Sequence, residues 1–428
     1  MRRALLLAAG LAGLLPGAAA AQESCLRFET ALREALDFDP RIEGAEADKE
    51  QARANALAAY SRNLPDVSLF GQASLGNTQP LDTTRGDSYG IQATQELFSF
   101  GARKAAQAAA RAQLEAARAG VAEAQIDVAE GVALAYLDTL RTRAVAGLTA
   151  EQARAYESDA LQAEGRLERQ VITLTDASQI RARYATARSR TLDAEVEAEA
   201  ALVRLRVLTD RAVPCVALES VTELLGANAG ALLALSPEAA VARATDRSFA
   251  LRRARSAVTA ASASLSEAQR ANLPTVSANA FALHQQDPLF GQDENEARLG
   301  ISIRQDLYTG GRHRAQRLDA RARLKGAQAD RDFERLILED RVRRALARAK
   351  AAQAAGEALL EAASEARIQL DATTTEYERG TKTLTDLVLA NEAYYGAALS
   401  ETDARFRFYS ALVSLHAALG ILTDPVEG

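Results

Sequence analysis

The side chains able to do covalent or acid-base work are few, and their spacing argues against catalysis. The three histidines, His284, His313 and His416, are far apart and share no pattern with a carboxylate or a second histidine that would build a metal site or a nucleophile-base pair. No glycine-rich phosphate loop is present, and Thr309-Gly310-Gly311 reads as a helix start. Met1 is the sole methionine, so no thioether cluster could carry a soft metal. The sequence therefore points away from an enzyme, and no cofactor or resident metal is expected. The remaining chemistry is that of two cysteines, Cys25 and Cys215. In an oxidising compartment they would bridge, and the alternative is two separate buried thiols. A lipid anchor at Cys25 is disfavoured, because Gln22-Glu23-Ser24 is a polar lead-in.

An oxidising compartment is what the start of the chain predicts. Residues 1–21 read as a signal peptide: Arg2 and Arg3, an apolar run from Ala4 to Leu15, Pro16-Gly17, and small residues up to Ala21. Removing two arginines takes the formal net charge from −6 to −8, and that acidity gives no support to nucleic-acid binding. The rest of the chain has no run of about 18 apolar residues and hence no transmembrane helix. Contact with a membrane would have to be made by strands.

The elements that dominate the chain are two rods. Residues 101–168 and 311–378 are proline-free and rich in Ala, Glu, Gln and Arg, which predicts unbroken helices each roughly 100 Å long. They belong to an internal repeat. Gln95-Glu96-Leu97-Phe98-Ser99-Phe100-Gly101 matches Gln305-Asp306-Leu307-Tyr308-Thr309-Gly310-Gly311 at an offset of 305 − 95 = 210, and Arg169–Asp176 matches Arg379–Asp386 at the same offset. Upstream, Asn63-Leu64-Pro65 recurs as Asn272-Leu273-Pro274 at 209, so a one-residue slip is expected in a hairpin loop. Ser99 and Thr309 stand where an N-cap is wanted. Return helices are expected over about 173–210 and 384–419, after turns near Arg169 to Ile172 and at the matching positions.

Between the leading helices and each rod, alternation predicts strand pairs over about 65–75 and 89–97, and over 274–283 and 297–307. In the second copy Leu299, Ile301, Ile303 and Leu307 face one way and Arg298, Ser302, Arg304 and Asp306 the other. Strands of about ten residues can span a bilayer when tilted. Seven aromatic residues, Phe70, Tyr89, Phe98, Phe100, Phe281, Phe290 and Tyr308, fall in or beside them, as interfacial girdles would. Four strands cannot close a barrel, and open edges cannot sit in lipid. Several copies must therefore share one barrel, in a cyclic oligomer. The chain divides into a first repeat over 22–210, a linker or equatorial segment over 211–235, a second repeat over 236–422 and a loose end over 423–428.

This order resembles the TolC-type outer-membrane efflux and secretion channels. The most specific match is Tyr377-Glu378-Arg379-Gly380-Thr381-Lys382-Thr383-Leu384-Thr385-Asp386, which is similar to the family's helix-turn at the periplasmic tip. The resemblance implies a mainly α fold with a transmembrane β-barrel: a homotrimer whose α-helical barrel continues into a 12-stranded β-barrel in the outer membrane. It implies a passive exit duct serving a periplasmic adaptor (membrane fusion protein) and an inner-membrane transporter, ABC or proton-driven, with type I protein secretion slightly favoured over multidrug efflux. Asp386 matches the acidic constriction at the channel entrance, while Leu389 replaces a second aspartate one turn later. Asp176, Lys382 and Tyr377 match a tip latch. Gln170, Val171, Ile172, Thr173 and Leu174, with Gly380, Thr381, Lys382, Thr383 and Leu384, match the adaptor-contacting turns. A different class, a periplasmic helical-hairpin adaptor or spacer, would also have long hairpins, but it would not need two repeated, aromatic-flanked strand pairs.

Overall fold

The computed structural model describes residues 25–77, 83–210, 215–226, 229–286 and 293–424. The signal-peptide reading of 1–21 lies outside the described residues. In chain order the elements are α1 (Phe28–Phe38), α2 (Pro40–Ser61), β1 (Asp66–Asn77), β2 (Thr83–Phe98), α3 (Ala102–Glu168), α4 (Leu174–Thr209), α5 (Leu218–Gly226), α6 (Ala229–Leu233), α7 (Pro237–Arg247), α8 (Phe249–Arg270), β3 (Thr275–Gln286), β4 (Asp293–Arg304), α9 (Arg312–Glu378) and α10 (Leu384–Ala418). The two rods, α3 and α9, are 67 residues each. Both begin at a left-handed glycine, Gly101 (φ 88°) and Gly311 (φ 89°), with no side-chain cap. The N-cap expectation for Ser99 and Thr309 is thus corrected. The chain enters each rod through two consecutive positive-φ residues, Phe100-Gly101 and Gly310-Gly311, a reversal that moves the cap two positions on. The Ser99 hydroxyl still accepts a bond from the Arg103 N–H at 3.3 Å.

The strands form one antiparallel sheet in the order β1-β2-β3-β4. Asp66 pairs with Thr94 in the first hairpin and Thr275 with Arg304 in the second. The arms correspond residue by residue up to Asn77–Thr83 and Gln286–Asp293. The one-residue slip therefore falls between 77 and 83 in one copy and 286 and 293 in the other, outside the described residues. β4 ends at Arg304, three residues short of the expected Leu307. Side chains on one sheet face line up as Leu69, Ile91, Ala282 and Ala297, then Val67, Ala93, Ala280 and Leu299, then Ala278 with Ile301 and Val276 with Ile303. The opposite face carries Ser68, Gln92 and Arg298, with Asn279, Ser277 and Ser302. Nothing among the described residues covers the apolar face: Leu299 is 81 % exposed and Leu69 79 %. A soluble sheet buries such a face, whereas a barrel wall turns it to lipid.

Below the sheet the helices form one curved layer. α3 packs against α2 and α4 on one side and against α8 and α10 on the other, and α9 packs against α8 and α10. α3 thus lies between two pairs of shorter helices and α9 beside one pair, an approach that alanines such as Ala109, Ala112, Ala160 and Ala163 on α3 allow. At mid-height a second layer, α1 with α5, α6 and α7, covers α3 and α9 and builds the main core. The 211–235 segment, expected as a linker, contains α5 and α6, whose Val221, Leu225 and Leu232 are buried in that core. Sγ of Cys25 and of Cys215 are bonded at 2.00 Å. Beside them the Tyr136 hydroxyl donates to the Leu26 carbonyl (2.6 Å) and accepts from the Ala217 N–H (2.8 Å), so the bridged segments are fastened to the middle of α3. The loose end is also corrected. Thr423 is buried, and Asp424 takes both its carboxylate bonds from Arg247 at 2.7 Å; residues 425–428 lie outside the described residues.

Candidate functional site

The turns joining α3 to α4 and α9 to α10 are built alike, and the backbone explains why. Gln170 N–H donates to the Leu167 carbonyl and Val171 N–H to that of Arg166; Gly380 and Thr381 do the same toward Tyr377 and Glu376, at 2.9–3.0 Å. This pair of bonds is the Schellman ending, which needs a left-handed residue. Gly380 supplies it at φ 77°, and Gln170 adopts it at φ 59°. Three residues after that left-handed position each return helix starts in a capping box. Asp176 N–H donates to Thr173 Oγ1 (3.2 Å), while Asp176 Oδ2 accepts from the Thr173 N–H (3.2 Å) and hydroxyl (2.8 Å). Thr383 and Asp386 repeat it at 3.2, 2.9 and 2.7 Å.

Both acidic residues matched to the entrance and latch are thus the N3 partners of capping boxes whose caps are Thr173 and Thr383. The Thr383 hydroxyl, then its N–H, and last the charge of Lys382 hold the Asp386 carboxyl below the usual aspartate range, against a small opposing effect of burial. Asp386 therefore presents a fixed negative charge in the first turn of α10. Leu389, one turn on, is exposed.

The expected latch residues do not meet within one chain. Among the described residues no ion pair joins Asp176 to Lys382, because Asp176 is taken up by its own cap and Lys382 projects from an exposed turn. Tyr377 is buried in the tip core, its ring beneath the Arg166 guanidinium at 4.3 Å from the centroid. Burial raises its hydroxyl pKa, Arg166 opposes this, and Asp159 and Asp176 add to it. Asp159, half-buried on α3, is pushed up to about 6 by loss of water. The two hairpins are instead linked by an ion pair between Arg183 on α4 and Glu392 on α10. In sequence these two are ordinary helix charges, and only the packing of α4 beside α10 brings them together.

Of the adaptor-facing residues, Leu384 is corrected. It is 8 % exposed and packs with Leu387, Val388 and Tyr377. Ile172 is half-buried against the same core. Gln170, Val171, Thr173, Leu174, Gly380, Thr381, Lys382 and Thr383 are exposed on the two turns, with Val171 at 69 % and Leu174 at 65 %. The histidines lie elsewhere. His284 contacts Tyr89 and Asn295 on the sheet, His313 begins α9, and buried His416 bonds the Leu412 carbonyl, its pKa lowered by burial.

A chain of this construction has known relatives. It is 27 % identical over 380 residues to the outer membrane efflux protein BepC of Brucella suis, spanning 86 % of this chain and 80 % of BepC. It is 23 % identical to the outer membrane protein TolC of Escherichia coli, over 90 % of this chain and 80 % of TolC. The solved structure of the outer membrane protein VceC from Vibrio cholerae superposes with a TM-score of 0.79 at 22 % identity, covering 92 % of this chain and 96 % of VceC. The family model described as outer membrane efflux protein matches residues 31–210 and 240–421. On this ground the chain belongs to the outer membrane efflux protein family: it is an outer-membrane channel of the TolC kind and not an enzyme.

Proposed function

We propose that three copies of the chain close into one duct, with a 12-stranded barrel in the outer membrane and a helical tunnel below it, built from a duplicated helix-strand-strand-rod-helix unit. The observation that carries this is the pair of unpartnered edges. On α4, Val196 and Val203 lie opposite the Ile180, Ala187 and Leu205 face that packs on α3, and both are exposed. On α9, exposed Phe333 and Ile368 point away from the side that meets α8 and α10. β1 and β4 are open edges too. The two edges differ, so each copy must lay its α9 edge on the α2/α4 edge of the next, a head-to-tail contact that closes into a ring.

In this reading the tips dock on a periplasmic adaptor through Val171, Leu174 and the polar turn residues, and an inner-membrane transporter drives cargo through a passive duct. Between export of small molecules and type I protein secretion, the printed name of BepC as an efflux protein favours small molecules. No residue of this chain speaks for protein cargo. The ring is tested by cross-linking. Val196 and Ala354 lie 196 − 171 = 25 and 381 − 354 = 27 residues from their own turns, on opposite edges. Val196→Cys with Ala354→Cys, treated with a short bismaleimide, is expected to give covalent dimers and trimers in denaturing gels. Monomers alone would contradict the ring.

A further inference from the structure

At mid-height, on the layer face opposite α1 and α5–α7, a groove of about 690 Å³ runs between α3, α9 and α10. Its charged lining is Arg341, Arg344, Arg348 and Arg407 with Glu130, and its floor is largely alanine with two serines. The rotation of α9 sorts its charges. Arg343 pairs with Glu238 of α7, and Lys350 donates to the Leu235 carbonyl, so these two serve the second layer. Arg341, Arg344 and Arg348, at spacings of three and four, point the other way.

The arginines are unequally neutralised. Arg341 pairs with Glu130 and Arg344 with Asp340. Arg407 donates Nε only to the Asp403 carbonyl, and Arg348 has no hydrogen bond or ion pair among the described residues. This concentration of cations stands in a chain of net charge −6. In a conducting ring the bulky second layer must lie outside, since inside it would plug the passage. The groove therefore faces the duct.

We infer that this groove is a binding site for anionic cargo with an apolar body, such as an aromatic or alkyl carboxylate or sulfonate. The arginine forks would take the anion, in the geometry guanidinium offers to such oxygens. The alanine floor would take the apolar part, and three copies would form a basic belt midway along the passage. The inference rests on the duct reading, since cargo must reach this face.

The test uses the intact detergent-extracted protein and naphthalene-1,5-disulfonate as probe, titrated by calorimetry, with naphthalene-1,5-dimethanol as the neutral control. The disulfonate is expected to bind and the diol not. Arg344→Gln/Arg348→Gln/Arg407→Gln together should weaken binding by at least about tenfold, whereas Arg343→Gln/Lys350→Gln on the opposite face should change it by less than about twofold. Equal affinity in the wild type and the triple variant, or no binding to the wild type, would overturn the site. Bilayer conductance of the same wild-type sample reads the duct separately, so a protein that conducts without binding the probe loses the groove and keeps the duct.

Discussion

Asp159, on α3 of the first hairpin, and Asp386, in the first turn of α10 in the second, show how the same side chain takes opposite roles. Asp386 accepts two bonds from Thr383 and is held below the ordinary range, so its contribution is present above the usual aspartate pKa and is lost as pH falls through its own value. Asp159 is raised to about 6 by burial. Between about pH 4 and 6 the folded chain therefore binds more protons there than the unfolded chain, and stability falls as pH rises through that window. Melting of the extracted protein should lose about 1–2 kcal/mol from this group between those limits, after allowance for solvent screening, and Asp159→Asn should flatten the slope. An identical slope in the variant would contradict the assignment. Tyr136 permits a second residue-scale test. Its hydroxyl serves the Leu26 carbonyl and the Ala217 N–H, which also bond each other at 3.2 Å, so Tyr136→Phe removes the hydroxyl's bonds without orphaning either group and should cost about 1 kcal/mol in denaturant unfolding. A change within error would mean water replaces the hydroxyl.

At the scale of elements, the hairpin turn is where sequence and structure can be compared most closely. The rods, returns and strands were legible from proline-free length, alternation and the constant offset of 210, because periodicity directly reports which face is buried. The capping boxes at 173–176 and 383–386 were not read from the sequence, although Thr-x-x-Asp carries the signal, because the resemblance drew Asp176 and Asp386 toward other roles. What could not be read were contacts made by packing between distant elements. Leu384 looks like an exposed turn residue until Tyr377 and Leu387 close over it, and Arg183 meets Glu392 only once α4 lies beside α10. The turn also carries an asymmetry with a measurable outcome. Gly380 holds φ 77° without strain, whereas Gln170 holds φ 59° with a side chain. Gly380→Ala should destabilise by about 1 kcal/mol and Gln170→Gly should stabilise by up to about 1 kcal/mol, both read as shifts in melting temperature. Equal responses at the two turns would mean the left-handed conformation is not shared.

For the whole molecule, the sheet and the helical layer make the same argument. An exposed apolar sheet face, two open strand edges and two unlike helical edges are all unfavourable for a lone chain in water, and a ring in a bilayer satisfies each of them. The disulfide, Tyr136 and the second layer brace the middle of the rods, so opening is expected at the tips, where the Arg183–Glu392 pair joins the hairpins. The most direct test is the conductance, in a planar bilayer, of the detergent-extracted protein whose native mass has been measured, compared with Glu392→Ala. The expected result is a trimer that conducts weakly at rest and severalfold more once that pair is removed, as befits a link worth about 0–1 kcal/mol in each copy. A monomer, or an assembly that passes no current in either form, would contradict it.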